Sequence, residues 1–257
     1  MTTDARRDTL VTGVEQITQW DMAHRLPRAR LVDRIGFLLD AAAGRRTIHV
    51  GFVDSGCTEL QQSHATWLHG ILAETTSSLV GLDIDVDGVQ RAREDGYEAY
   101  AVDCRDPVAV AGLGLEPADT VIAGEIIEHV DDPGAFLDGL VPLVRPDGAL
   151  VITTPNACGL VNAVSALAGF EVMHPDHVTL FTWYTLNNVL RRHGWRPLET
   201  AVYVPRVKEA HGTTPRDRVL GLGARAVLGL ERVCARMGRG FVADGLIVVA
   251  GRPDVEP

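Results

Sequence analysis

No hydrophobic run in this sequence approaches the roughly 18 residues needed to span a bilayer, so no membrane-spanning segment is expected. Its opening, "MTTDARRDTLVTGVEQ", lacks the apolar stretch and small-residue cleavage site of a secretion signal. Cysteine is sparse. Cys57, Cys104, Cys158 and Cys234 are scattered and form no C-x-x-C pair, which argues against a zinc site and suggests reduced, cytoplasmic thiols. Positive charge is also short: 24 basic against 34 acidic residues leave a net charge of −10. That balance works against non-specific attraction to nucleic acid or to an anionic membrane. G-x-G-x-x-G is absent, which disfavours a dehydrogenase. Repeats and low-complexity tracts are absent too.

What is present is ample apolar material. The 257 residues, 46% hydrophobic and 23% charged, are enough for one large domain with a substantial core. From Thr47 to about Thr154, short β-branched runs alternate with helical stretches. "TIHVGFV", "SLVGLDID", "YEAYAVD", "DTVIAG" and "GALVITT" read as strands. "HATWLHGILAETT", "VDGVQRAREDG" and "DPGAFLDGLVPLV" read as helices, with Pro133 suited to a first turn. Continuous apolar strands separated by helices predict a parallel sheet covered on both faces. With "PLETAVYV" and the closing "ADGLIVVAGRP", the expectation is an α/β, doubly wound, mostly parallel sheet of seven strands. Residues 1–45 are expected as two N-terminal helices, the second being "ARLVDRIGFLLDAAAG". Residues 46–204 form the core, 205–240 a helical cap, and 241–252 the last strand. The segment 155–182 reads as irregular.

In such a fold, ligands sit at the carboxyl ends of the strands. Gly51 in "IHVGFVDSG" offers one close backbone approach. Asp83 ends the second strand, 83 − 51 = 32 positions later, against about 20 in the simple dinucleotide fingerprint. The segment "CTELQQSHATWLHG" lengthens the first crossover and accounts for the excess. Asp83 either accepts hydrogen bonds from a ribose diol or caps the next helix. Asp103, at the end of "YAVD", could hold an amino group or simply form a turn. Glu125, Glu128 and His129 form E-x-x-E-H after the fourth strand. If Glu125 opens a helix, the three side chains project to one face, as hard-cation ligands or as acids favoured by the helix dipole. Trp67, Trp183 and Trp195 read as packing residues. His64 and His69 read as helix surface or pocket lining. The arginines from Arg206 to Arg239 either bind an anionic substrate or lie on the solvated side of an amphipathic helix pair.

"DTVIAGEIIEHVDDP" followed by "LVPLVRPDGALVITTPN" resembles the fourth-strand motif and fifth-strand region of class I S-adenosylmethionine-dependent methyltransferases. The likeness runs from about Arg46 to Ala250. It is nearest a branch whose first motif reads His-Val-Gly and which has the later "HPDHVTLFT". Val53 stands where many relatives have a second glycine, and His49 replaces the commoner acid. The resemblance implies S-adenosylmethionine as cofactor, bound by Gly51, Phe52, Asp83, Ile84, Asp103, Cys104 and Glu125. The E-x-x-E-H spacing is similar to that of ubiquinone-pathway O-methyltransferases and small-RNA 2′-O-methyltransferases, where it binds a divalent metal. This implies magnesium on Glu125, Glu128, His129 and His177, with His174 as a substitute, and catalytic roles for Glu128, His129 and His177. The expected reaction is O-methylation of a hydroxyl on a sugar, glycan or secondary metabolite. RNA ribose 2′-O-methylation and a non-catalytic cofactor-binding subunit are the alternatives. A small-molecule or glycan partner is expected, with no membrane and nucleic acid disfavoured. A homodimer is compatible with the sequence.

Overall fold

Four helices of this chain open on an aspartate that follows a strand. The computed structural model describes residues 23–53, 67–205 and 215–252, with 215–220 described by backbone alone. The expected first N-terminal helix, Cys57 and His64 lie outside those residues.

The strands are β1 (Arg30–Val32), β2 (Arg46–Val50), β3 (Ser78–Asp83), β4 (Glu98–Ala101), β5 (Ala118–Gly124), β6 (Val144–Pro155), β7 (Arg196–Tyr203) and β8 (Gly245–Gly251). The helices are α1 (Arg34–Ala42), α2 (Leu68–Ala73), α3 (Val86–Glu94), α4 (Pro107–Gly112), α5 (Pro133–Leu140), α6 (Leu160–Leu167), α7 (Trp183–Arg192) and α8 (Pro215–Arg236). Asp33, Asp85, Asp106 and Asp132 accept backbone N–H groups at the starts of α1, α3, α4 and α5. Each supplies an acceptor that a helix N-terminus otherwise lacks. Pro107 and Pro133 sit in the first turns, where a missing N–H costs nothing.

The sheet runs β1-β7-β8-β6-β5-β2-β3-β4. Neighbours are parallel except β8, which is antiparallel to both β6 and β7. The mostly parallel, doubly wound expectation therefore holds, with eight strands rather than seven. The extra strand is β1, inside the stretch read as the second N-terminal helix. Asp33 explains the difference: its carboxylate accepts the Gly36 N–H at 3.0 Å, so α1 starts at Arg34 and the preceding residues pair with β7. Two helices escaped the sequence reading. One is α4, despite its Asp-Pro start, and the other is α6, in the segment read as irregular. The expected helix pair near the C-terminus is instead the single 22-residue α8, and residues 206–214 lie outside the described part.

Alternation along β5 shows how the two faces are filled. Val121 and Ala123 join Leu137, Leu140, Leu186 and Leu190 from α5 and α7 on one side. Ile122 joins Leu38, Ala42 and Leu72 from α1 and α2 on the other. The large apolar side chains named here are fully buried, each removing roughly 1.5–3 kcal/mol of exposed apolar surface from water. Trp67 and Trp195 belong to this packing, at 4% and 1% exposure. Chain order reverses at β2, which pairs with β3 on one side and β5 on the other. The carboxyl ends of β2, β3 and β5 thus flank one crevice. Among the described residues no helix is long and apolar enough to cross a membrane. Cys104, Cys158 and Cys234 are free thiols.

Candidate active site

Gly51 leaves β2 with φ 70°, the left-handed region that glycine enters without penalty. Its N–H donates to the Leu82 carbonyl at 2.8 Å, which keeps the turn on the sheet. A Cβ at this position would lie 2.8 Å from Ile126 Cγ1, so the glycine also permits close packing on the β5 loop. Phe52 turns inward, 2% exposed, with its ring against Gly81 and beside Trp67 and His69. Its carbonyl accepts from Trp67 Nε1 at 2.9 Å.

Asp83 joins two elements. Its Oδ2 accepts the Val53 N–H at 2.8 Å and its Oδ1 accepts the Asp85 N–H at 3.0 Å. The cap of α3 is Asp85, so Asp83 is not spent on that helix. Burial pushes the Asp83 carboxyl up, and backbone hydrogen bonds from Asp85 and Val53 pull it back. The Ile84 N–H acts on it as well, and of a carboxylate's roughly four acceptor sites this leaves capacity toward a ribose hydroxyl. Ile84 beside it is 65% exposed and lies at the rim.

Asp103 is placed differently from expectation. Arg105 clamps it, with Nε on Oδ1 at 3.0 Å and Nη2 on Oδ2 at 2.7 Å. The same guanidinium, chiefly by hydrogen bonding, holds the carboxyl below its usual range. With both oxygens in this fork, the Asp103 side chain is not a ready acceptor for an adenine amino group. Cys104 is core, 5% exposed, and burial pushes its thiol up to about 12. A Cβ at Gly139 would overlap the Cys104 carbonyl oxygen, so α5 passes directly over it.

The E-x-x-E-H triplet departs furthest from its expected form. Glu125 does not open an α-helix: it has φ 54°, an unusual conformation for a residue with a side chain, and a short 3-10 turn follows at Ile127–His129. The three side chains therefore diverge. Glu125 Oε1 accepts from Thr153 Oγ1 at 2.7 Å and from the Tyr203 hydroxyl at 2.7 Å, with Arg34 at 3.9 Å. Burial, then Glu125, drives the Tyr203 phenol well above its ordinary range. Glu128 is fully buried and accepts from Thr154 Oγ1 at 3.0 Å through Oε2, while its Oε1 has no partner. Burial first, and Glu125 second, push it up to about 8, so Glu128 carries its proton at neutral pH. Thr153, Thr154, Tyr203 and Arg34 are site residues that sequence reasoning missed. The polar pair in "VITTPN" was a visible signal; Arg34, distant in sequence, left none.

His129 points the other way. The Glu128 carbonyl accepts from the Val178 and Thr179 N–H groups at 3.0 and 3.1 Å, which pins the His177 loop to this turn. His129 Nδ1 meets the Asp176 carbonyl at 3.1 Å, and its ring lies 4.6 Å from that of His177. One ligand atom each from His129, His174 and His177 lie within 4.8 Å of one another. His177 Nδ1 is buried without a partner, and burial followed by the two neighbouring imidazoles lowers its basicity. The expected magnesium set is thus not assembled. Among the described residues the ligand atoms that come together are those of His129, His174 and His177 without either glutamate, and nitrogen-only donors do not suit a cation that prefers oxygen. His69 is likewise not surface: it is fully buried, with its Nδ1 3.3 Å from that of His49.

Three comparisons place this geometry among known proteins. The profile of the family described as "Methyltransferase domain" matches residues 54–200. The chain is similar to the ubiquinone biosynthesis O-methyltransferase of Rhodopseudomonas palustris (strain TIE-1), 30% identical over 145 residues, covering 53% of this chain and 56% of the relative. The enzyme of the same name from Parvibaculum lavamentivorans is 32% identical over 123 residues, covering 47% and 46%. The chain thus spans about half the length of the curated relatives it matches. A SAM-dependent methyltransferase from Archaeoglobus fulgidus superposes with a TM-score of 0.52 at 17% identity, over 85% of this chain and 91% of that one. At that identity, the likeness speaks for the fold.

Proposed function

This chain belongs to the methyltransferase-domain family, and from that premise we propose that it moves the methyl group of S-adenosylmethionine to a hydroxyl oxygen of a small-molecule or glycan acceptor. The observation that carries the reading is the Asp83 carboxylate, fixed by backbone N–H groups with acceptor capacity left, beside the Gly51 turn. That is a preformed acceptor for a ribose diol. Among the described residues Gly51 offers one tight backbone approach, which fits a donor without a pyrophosphate.

The sulfonium of the bound donor supplies the reactive methyl. What the chain adds is alignment and a base. His177, lowered in basicity, is neutral at pH 7 and would take the acceptor's hydroxyl proton through Nε2, its Nδ1 being buried. His129, oriented by the Asp176 carbonyl, packs against it and fixes its ring plane. Protonated Glu128 lies behind the same turn and positions the loop through its carbonyl. The similarity to ubiquinone biosynthesis O-methyltransferases supports oxygen as the methylated atom.

Calorimetry with S-adenosylhomocysteine tests the donor site. Binding is expected for the parent chain, weakened roughly tenfold or more in Asp83→Asn, since hydrogen bonds to a charged group contribute about 1.5–3 kcal/mol. Transfer of label from methyl-labelled donor to a panel of catechols and sugars then tests the acceptor class. Absence of binding heat in the parent protein overturns the assignment.

A further inference from the structure

A second concavity lies away from the strand tips. The segment before β1 and the C-terminal end of α8 enclose a cavity of about 790 Å³ whose walls include His24, Arg25, Arg28, Arg236 and Arg239. The segment is held there by packing: a Cβ at Gly240 would lie 3.0 Å from the Ala29 carbonyl, and the His24 ring stacks on Tyr184 of α7 at 3.8 Å.

Four arginines line this cavity and, among the described residues, no carboxylate does. The chain is not short of acids: Arg30, Arg34, Arg105 and Arg145 each face one. The side chains of Arg25, Arg28, Arg236 and Arg239 have no ion pair or hydrogen bond among the described residues, and all four residues are exposed. Compensation of the α8 dipole does not account for them. A helix C-terminus presents about half a negative charge, which Arg236 in the last turn already offsets. Arg25 and Arg28 come from a different part of the chain and add like charge to a site with no need of it.

We propose that this cavity is a binding site for a small, multiply charged phosphate ester of the mono- or diphosphate type. Guanidinium forks match phosphate oxygens two at a time, and four of them exceed what one carboxylate would use. The site is bounded in size and sits on a chain of net charge −10. A long polyanion or an anionic bilayer would meet that repulsion over its whole length, whereas a small ester meets only the basic cavity. The proposal stands apart from the methyl-transfer reading, because none of its residues is used there.

The test is calorimetric titration of the whole protein with inorganic pyrophosphate at low ionic strength. Binding is expected, weakening as salt is added, and roughly tenfold weaker in the Arg25→Gln/Arg239→Gln double variant. Arg28→Glu, a charge reversal at a third wall, is expected to abolish it. All variants keep the parent's melting temperature and its response to S-adenosylhomocysteine. Sedimentation with phosphatidylglycerol vesicles and gel shift with short RNA form the competing arms. No heat with pyrophosphate, or heat unchanged in both variants, overturns the site. Vesicle or RNA binding tighter than pyrophosphate and lost in the same variants overturns the small ligand.

Discussion

Replacing Gly51 by alanine probes the turn on which the donor site rests. Two costs add. The left-handed backbone, φ 70°, penalises a side chain by about 1–2 kcal/mol. The new methyl would also sit 2.8, 2.9 and 3.0 Å from Ile126 Cγ1, Cδ1 and Cβ, an overpacking that costs roughly 1–3 kcal/mol. Together, destabilisation of about 2–5 kcal/mol is expected, seen as a melting temperature about 4–20 °C lower for a chain of this size. Truncating Ile126 to alanine removes the two nearest atoms and leaves the backbone strain. In a double-mutant cycle, Gly51→Ala and Ile126→Ala should therefore couple favourably by about 1–2 kcal/mol. S-adenosylhomocysteine affinity should fall in Gly51→Ala and return only in part in the double variant. Strict additivity of the two substitutions, or a shift below about 2 °C for Gly51→Ala, would refute the described turn.

Three further expectations concern the same neighbourhood. The Glu128 carboxyl moves from 4.5 up to about 8 on folding, so between those values the folded chain binds more protons and stability declines as pH rises. Glu128→Gln should flatten that decline, read from melting temperatures at several pH values; an unchanged slope would place the titration elsewhere. His177 is lowered from 6.5, so the acid limb of kcat/KM should fall below pH 6.5 and disappear into low residual turnover in His177→Ala. A limb centred above 6.5 would remove His177 as the base. Gly139→Ala pushes a methyl into the Cys104 carbonyl, a backbone atom that cannot swing aside, and should cost about 3 kcal/mol or more by urea denaturation.

Much of the fold was legible because strand and helix signals agreed with one another. The runs at β2, β3, β5 and β6 are continuous and β-branched, and Asp-Pro at α5 marks a helix start without tertiary help. The same logic was available at Asp106-Pro107 and was overlooked. β1 was hidden for a different reason: three residues with little periodicity become a strand only because β7 presents an open edge. At the site, Gly51 and Asp83 were readable from their place at strand ends. The fate of Glu125 was not. Spacing alone suggested one helical face, but the left-handed backbone and the reach of Tyr203 and Thr153 decide where the carboxylate goes. Those partners come from strands distant in sequence, which local spacing cannot report.

The position of β8 bears on how the protein can be assembled. It follows every other described strand in the chain, yet it lies between β6 and β7 rather than at a border. Until it arrives, β6 keeps an unpaired edge, and β7 with its companion β1 has nothing to hold on to. Assembly must then finish with the insertion of β8 between two waiting strands, and a chain cut before Gly245 should be a client for chaperones and proteases rather than a half-working enzyme.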